Sequence, residues 1–322
     1  MNYESPFIKN SVIVLGVIAL GFFAFTKISK PFEDTPPAIR EQTASEIAAL
    51  KRIRPTAVIP EPEGIDAESY VVRLVGEKTP LLSRRELKRM PPASLTKLMT
   101  ATIAAEELAS SDLVTFSAIA KKVDPTQSSA AAGESFLRDD MLKFAVIASA
   151  NDAAYAIAET IQKKHRSRSA AMAAATTTSF TDLMNQKAAR IGMTDSHFQN
   201  PIGLDDPDHF MSAADVARLL DHIFYTHQNI FEISRTVETT VYSVNRKSHT
   251  IENTNDLLKE FPAILGSKTG FTNAAQGTLA MLYPVKPNHV ALIVLMGSHD
   301  RFGDGRKLIT WLENSFSAEG GQ

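Results

Sequence analysis

The apolar pattern changes period along the chain. From Ile264 onward apolar and polar positions alternate, and Leu265 to Thr272, Gln276 to Val285 and His289 to Gly297 are predicted as three strands. A tight turn at Lys286-Pro287-Asn288 is expected to join the last two. Valines and a tyrosine cluster from Ser69 to Val75, the signature of an earlier strand. Between these regions the spacing is helical. Helices are predicted from about Ser94 to Leu108 behind Pro91-Pro92, Asp139 to Ser149, Ala153 to Lys163, Phe180 to Ile191 and Ser212 to Tyr225. A last helix, from about Phe302 to Phe316 around Trp311, is expected to lay its apolar face on the sheet. Ser149 and Asn151 are expected in the loop that follows the second of these helices, where Asn151-Asp152 can also cap the third, and the alanine- and threonine-rich piece from Ser167 to Ser179 reads as low-complexity surface. Helices flanking an antiparallel sheet whose strands come from both ends of the chain make an α+β layered fold.

The first 64 residues follow other rules. Val12 to Phe25 is an unbroken apolar run between Lys9 and the pair Lys27 and Lys30, and it extends to Phe7–Ile28 if Lys9 snorkels to the interface. A cleaved signal peptide is the competing reading. The run lacks an A-x-A site, and its single flanking lysine is offset by Glu4, so residues 1–30 are expected to be an uncleaved transmembrane anchor. Lysines on both flanks leave orientation undetermined by charge. Residues 31–64 are proline-dotted, with a short amphipathic piece at Ala44 to Arg54, and are expected to tether a catalytic domain spanning 65–318.

Composition removes several function classes. With 322 residues, 44% of them apolar, the chain can build one substantial core; a net charge of −2 without long basic runs gives nucleic acid no footprint. The absence of cysteine excludes disulfides, thiolate metal sites and cysteine nucleophiles. The eight histidines form no H-E-x-x-H pattern and no paired ligand spacing, so neither a metal nor another cofactor is expected.

What remains is an ordered triple. Ser94 and Lys97 lie one helical turn apart in PPASLTKLMTA, Ser149-Ala150-Asn151 follows 55 residues after Ser94, and Lys268-Thr269-Gly270 follows 119 residues after Ser149. S-x-x-K puts a hydroxyl and an amine on one helix face, where a neutral amine can take the hydroxyl proton and create a nucleophile. S-x-N alone decides nothing, since it recurs at Ser243-Val244-Asn245. The order of all three motifs points to acyl transfer and is the set found in penicillin-binding proteins and class A β-lactamases. Taken by itself, Ser94 could be no more than a helix cap.

From about Ala67 to Phe316 the chain resembles the D-alanyl-D-alanine carboxypeptidase family of low-molecular-mass penicillin-binding proteins. SANDAAYAIAE, LMNQKAARIGMTDSHFQNPIGL, NTNDLL, GSKTGFTNAA and RFGDGRKLITWLE carry the likeness beyond the motifs. The resemblance implies the β-lactamase/penicillin-binding-protein fold and a membrane-anchored, extracytoplasmic enzyme acting on peptidoglycan stem peptides, with β-lactams as covalent inhibitors. It implies Ser94 as nucleophile, Lys97 as general base, Ser149 as proton relay to the leaving amine and Asn151 as the holder of Lys97 and the substrate amide. Lys268 and Thr269 would bind the substrate carboxylate, Gly270 would let substrate backbone approach the strand, and the Ser94 and Phe271 N–H groups would form the oxyanion hole. Two positions depart from the family pattern and put substrate preference in doubt: Ala150 stands where the family usually has glycine, and Gln276 interrupts the usual alanine-glycine after FTNAA. The family's D,D-endopeptidases are the main alternative. A β-lactamase is disfavoured because no E-x-x-L-N segment lies between the second and third motifs, and an inactive wall-binding protein because the motif residues are intact.

Overall fold

A computed structural model describes residues 60–125, 128–171, 178–286 and 289–317. The anchor, most of the tether and the tip of the Lys286-Pro287-Asn288 turn lie outside the described residues, among which no helix is long and apolar enough to cross a membrane. The helices are α1 (Thr96–Glu107), α2 (Arg138–Val146), α3 (Asn151–Ala171), α4 (Phe180–Arg190), α5 (Ala213–Thr226), α6 (Asn229–Ser234), α7 (Leu257–Glu260) and α8 (Arg301–Ser317). The strands are β1 (Ser69–Leu74), β2 (Leu82–Arg84), β3 (Leu113–Thr115), β4 (Ser135–Leu137), β5 (Glu238–Tyr242), β6 (Ser248–Glu252), β7 (Gly266–Thr272), β8 (Gln276–Lys286) and β9 (His289–Ser298).

Five strands form an antiparallel sheet in the order β2-β1-β9-β8-β7, so the earliest long strand is inserted beside the last, as expected for strands drawn from both chain ends. All six residues of β1 are buried, which is why its sequence is a short run of valines and tyrosine rather than an alternation. The later strands do alternate. Ala280, Leu282, Leu292, Val294 and Met296 face the helical core, while Leu279 and Met281 meet the close-packed Gly305 of α8 on the other face.

Helix α1 runs through the centre of the helical layer. Thr96 through Ala104 are all buried, so this helix is enclosed on every side and shows almost no amphipathic stripe. Phe116, Phe136 and Phe144 pack edge-on to one another with ring centroids 5.1–5.8 Å apart and tie the β3–β4 ribbon to α2.

Predicted boundaries shift where local chemistry overrides periodicity. The first helix begins two residues later than expected, because Ala93–Leu95 form a separate 3₁₀ turn. The second stops at Val146, since Ser149 adopts a left-handed φ of 59°. Asn151 is therefore the first residue of α3 and not part of a loop. That helix continues past Lys163 to Ala171 on an exposed, polar stretch that carries no apolar period but contains good helix formers. The two-stranded ribbons β3–β4 and β5–β6 and the short helices α6 and α7 were not foreseen.

The RFGDGRK segment has a structural job. Asp304 is buried and accepts hydrogen bonds from the backbone N–H groups of Asp66 (3.0 Å) and Ala67 (2.8 Å) and from the Ser298 hydroxyl (2.7 Å), joining the entry to β1, the end of β9 and α8. Asp304→Ala is expected to cost about 2–4 kcal/mol, because it strands several buried donors at once. Urea unfolding measures this; a loss below about 0.5 kcal/mol would mean that the carboxylate is not a fastening of the fold.

Candidate active site

Ser94 sits in the Ala93–Leu95 turn that feeds α1, directly after Ala93, whose φ of 48° is unusual for a residue with a Cβ. Two glycines from distant segments press on this turn. A Cβ on Gly203, itself at φ +91°, would lie 1.9 Å from the Ala93 carbonyl oxygen, and one on Gly270 would lie 2.7 Å from the Ser94 nitrogen and 2.5 Å from Thr278 Oγ1. Gly270 is thus required by the protein's own packing against the serine turn, a reason that precedes any approach of substrate backbone.

Lys97 is fully buried. Its Nζ lies 2.7 Å from Ser94 Oγ, 2.7 Å from Asn151 Oδ1 and 2.8 Å from the Ile202 carbonyl oxygen. The two carbonyl oxygens can only accept. A neutral amine gives them its two N–H bonds, and its lone pair is then left for the Ser94 hydroxyl proton. Burial first, and then the charge of Lys268, holds the Lys97 pKa well below the usual lysine range, against a smaller opposing pull from Asp152.

The third motif approaches from β7, the edge strand of the sheet. Lys268 is buried, donates to Ser149 Oγ (2.8 Å) and to the Thr269 carbonyl (2.9 Å), and has its pKa lowered to about 7 by burial and by Arg301. The left-handed backbone at Ser149 turns its hydroxyl toward Lys268, so Ser149 joins the second motif to the third while Asn151 joins it to the first. Thr269 Oγ1 contacts Thr254 Oγ1 at 2.5 Å, and Asn255 Nδ2 donates to Ser267 Oγ at 2.9 Å. These contacts give NTNDLL a purpose its sequence did not declare: it buttresses the inner face of β7.

Phe271 and Leu204 stand exposed where β7 and the 200–209 loop meet, and Thr272 Oγ1 donates to Asp205 Oδ1 (2.7 Å) across the same junction. Asn200 Oδ1 accepts from the N–H groups of Ile202, Gly203 and Leu204, fixing the loop that aims the Ile202 carbonyl at Lys97. Neutral His209 supports it from behind, bonded to Thr96 at 2.9 Å and to the Gln199 N–H at 3.1 Å; burial drops its pKa to about 4. Sequence reasoning overlooked Arg301, a half-buried guanidinium whose Nε has no hydrogen-bond partner and whose charge acts on Lys268. It also passed over the Ile202 carbonyl, which no side-chain motif marks.

Of the two departures, Ala150 is fully buried between the motif residues, and Gln276 takes a left-handed φ of 52° that glycine would adopt more easily. Its side chain donates to the Asn273 carbonyl at 2.7 Å. Among the described residues, Glu106, His222 and His227 bring three potential metal ligands together, a grouping that spacing along the sequence did not suggest. The Lys187 ammonium already occupies this carboxylate, at the C-terminal end of α1, whereas Ser94 precedes its other end. A cleft of about 570 Å³ lined by Arg73, Glu86, Arg218 and Asp221 contains none of the motif residues.

Comparison with known proteins agrees with this geometry. The D-alanyl-D-alanine carboxypeptidase family profile matches residues 56–299. The chain is 30% identical over 242 residues to D-alanyl-D-alanine carboxypeptidase DacF of Bacillus subtilis, covering 74% of this chain and 59% of that protein. It is also 30% identical over 266 residues to a D-alanyl-D-alanine endopeptidase of Pseudomonas aeruginosa, covering 80% of this chain and 81% of that one. The chain thus spans under two thirds of DacF's length but most of the endopeptidase's. Penicillin binding protein 6B from Escherichia coli superposes with a TM-score of 0.66 at 26% identity, over 78% of each chain. A matching profile over most of the chain, with Ser94, Lys97, Ser149, Asn151 and Lys268 gathered at one site, makes this chain a member of the D-alanyl-D-alanine carboxypeptidase family of serine peptidases.

Proposed function

We propose that this chain is a serine-type D-alanyl-D-alanine carboxypeptidase, removing the terminal D-alanine of peptidoglycan stem peptides through an acyl-enzyme on Ser94. The observation that carries the reading is the Lys97 amine, dehydrated and held by two carbonyl acceptors so that its lone pair meets the Ser94 hydroxyl at 2.7 Å. As the Ser94 oxygen attacks the carbonyl carbon of the penultimate D-alanine, its proton passes to Lys97. Negative charge then develops on the carbonyl oxygen, toward the N–H groups of Ser94 and Phe271. Collapse of the tetrahedral intermediate breaks the peptide C–N bond, and the leaving amine takes the proton that Lys97 accepted, relayed through the Ser149 hydroxyl that Lys268 holds, so that Lys97 is neutral again. Lys268, Thr269 and Arg301 receive the substrate's free carboxylate. Water, deprotonated by Lys97, then hydrolyses the Ser94 ester. A β-lactam would acylate the same oxygen, with its own carboxylate in the same place.

An endopeptidase reading draws on the fuller coverage of the endopeptidase relative. Both readings share every step above and differ in whether the leaving group is free D-alanine or a cross-linked strand. We place the enzyme outside the cytoplasmic membrane, where the peptidoglycan substrate of its family lies, and read residues 1–30 as its anchor and 31–64 as its tether on the strength of the apolar run from Val12 to Phe25.

Ser94→Ala is expected to abolish fluorescent-penicillin labelling and to cut D-alanine release by about 10³-fold or more. Mass spectrometry of peptidoglycan treated with the wild type should show loss of single alanines; loss of cross-links would select the endopeptidase, and normal turnover by Ser94→Ala would overturn the nucleophile.

Lys268 is protonated below its pKa of about 7 and neutral above it, so carboxylate binding should weaken as pH rises through that value. For a D-Ala-D-Ala peptide KM should therefore climb above pH 7 while kcat changes little, because bound carboxylate restores the proton. A neutral ester lacking that carboxylate should show no such rise, and identical profiles for both substrates would remove Lys268 from carboxylate binding.

A protein lacking residues 1–30 should be soluble and retain penicillin binding, since every motif residue lies beyond the tether. A mature N-terminus found after Phe25 would show instead that the apolar run is cleaved.

A further inference from the structure

Next to Asn151 in the first turn of α3 lies Asp152, a carboxylate with no solvent exposure. It is the acidic group whose charge acts on Lys97, pulling toward the protonated form. Facing it, Lys121 reaches in from the Ala120–Lys122 3₁₀ turn and donates to Asp152 Oδ2 at 2.6 Å. The lysine is fixed on other sides as well: its Nζ donates to the Ser128 carbonyl at 3.1 Å and lies 5.2 Å from the centroid of the Phe116 ring. Ser117 anchors the same turn, accepting from the Ala120 N–H at 2.9 Å and donating to Glu159 of α3. No step of the proposed mechanism uses either charge.

We propose that Lys121 is a positioning residue for the reaction: by pairing with Asp152 it cancels the negative charge behind Asn151, so that Lys97 keeps its lone pair for Ser94. The proposal rests on Lys97 being the base. The charged and titratable groups around Lys97 are Lys268 on β7, with Arg301 of α8 behind it, Asp152 on α3, and His209 behind Thr96, which is neutral. Of these charges Lys268 favours the neutral amine, and Asp152 opposes it. The second oxygen of Asp152 accepts the Ala153 N–H at 2.9 Å at the start of α3, where the helix end favours negative charge. Without Lys121 the negative charge behind Asn151 is uncompensated, which raises the pH below which Lys97 is protonated and idle.

The test is the pH profile of the second-order rate of acylation by penicillin, measured on the full-length protein. Lys121→Met should move the acid limb upward by roughly one pH unit, a tenfold loss at low pH, and leave the alkaline side, where the rate falls as Lys268 loses its proton, near wild type. Lys121→Arg should hold the wild-type limb, and Lys121→Met combined with Asp152→Asn should restore it. A loss of equal size at every pH, or an unmoved limb, overturns the proposal in favour of a purely structural ion pair. If Lys121→Met does not fold, Asp152→Asn alone decides, since it must shift the limb downward; a limb that stays put sinks the idea. Failure of the underlying mechanism is separately visible, because Lys97→Ala would then acylate normally.

Discussion

A lysine with no access to water governs this structure. Burying an ammonium ion costs several kcal/mol unless it is paired, and Lys97 has no carboxylate in contact, so the cheaper state is the neutral amine. A neutral amine has two hydrogens and one lone pair, and the site supplies two carbonyl acceptors and one hydroxyl. The count closes only in one arrangement. Asn151 must come from α3, Ile202 from a loop 105 residues beyond Lys97, and Ser94 from the turn that starts α1. The fold has to bring these three together at a single nitrogen.

That requirement explains where backbone strain and tight packing accumulate. Ala93 and Ser149 occupy left-handed conformations on either side of the site, and Gly203 and Gly270 lie where a single added carbon would collide with the serine turn. Such backbones cost of order 1–3 kcal/mol each and persist only where their surroundings over-determine them. Here the surroundings are α1, buried along nine consecutive residues, and β7, buttressed by Thr254 and Asn255. The rigid core is what holds the strained residues in register.

Those forces were legible to different degrees. The strands β7, β8 and β9 and the helices α4, α5 and α8 follow apolar periods long enough to read, β1 shows as a cluster of β-formers, and the S-x-x-K, S-x-N and K-T-G residues meet in space because each pattern encodes a side-chain group. Residues that act through the backbone left no such trace: the Ile202 carbonyl looks like any other, and its role depends on Asn200 gathering three N–H groups. Arg301 was hidden inside a segment that read as the start of a helix. The short ribbons β3–β4 and β5–β6 bury too few side chains to impose a period. Asn151 was misplaced into a loop because the helix signal in α3 comes from alanines downstream, while its own side chain is committed to Lys97.

The site also assigns two chemically identical amines to different tasks by environment. Lys97 and Lys268 are equally enclosed, yet Lys97 faces two carbonyl oxygens and the charge of Lys268, whereas Lys268 faces a hydroxyl, one carbonyl and the more distant Arg301. Two ammonium ions cannot both persist in so small a volume, so the first proton lost belongs to Lys97, the amine already pushed further down. The remaining charge sits on Lys268, on the same strand as the exposed Phe271, and in the proposed mechanism it meets the incoming carboxylate. In the proposed mechanism one cation binds, and its field keeps the other amine free to act as a base. On this reading each lysine's function is a consequence of the other's charge, which is why motifs whose lysines lie 171 residues apart have to be folded against each other before either has any chemistry to perform.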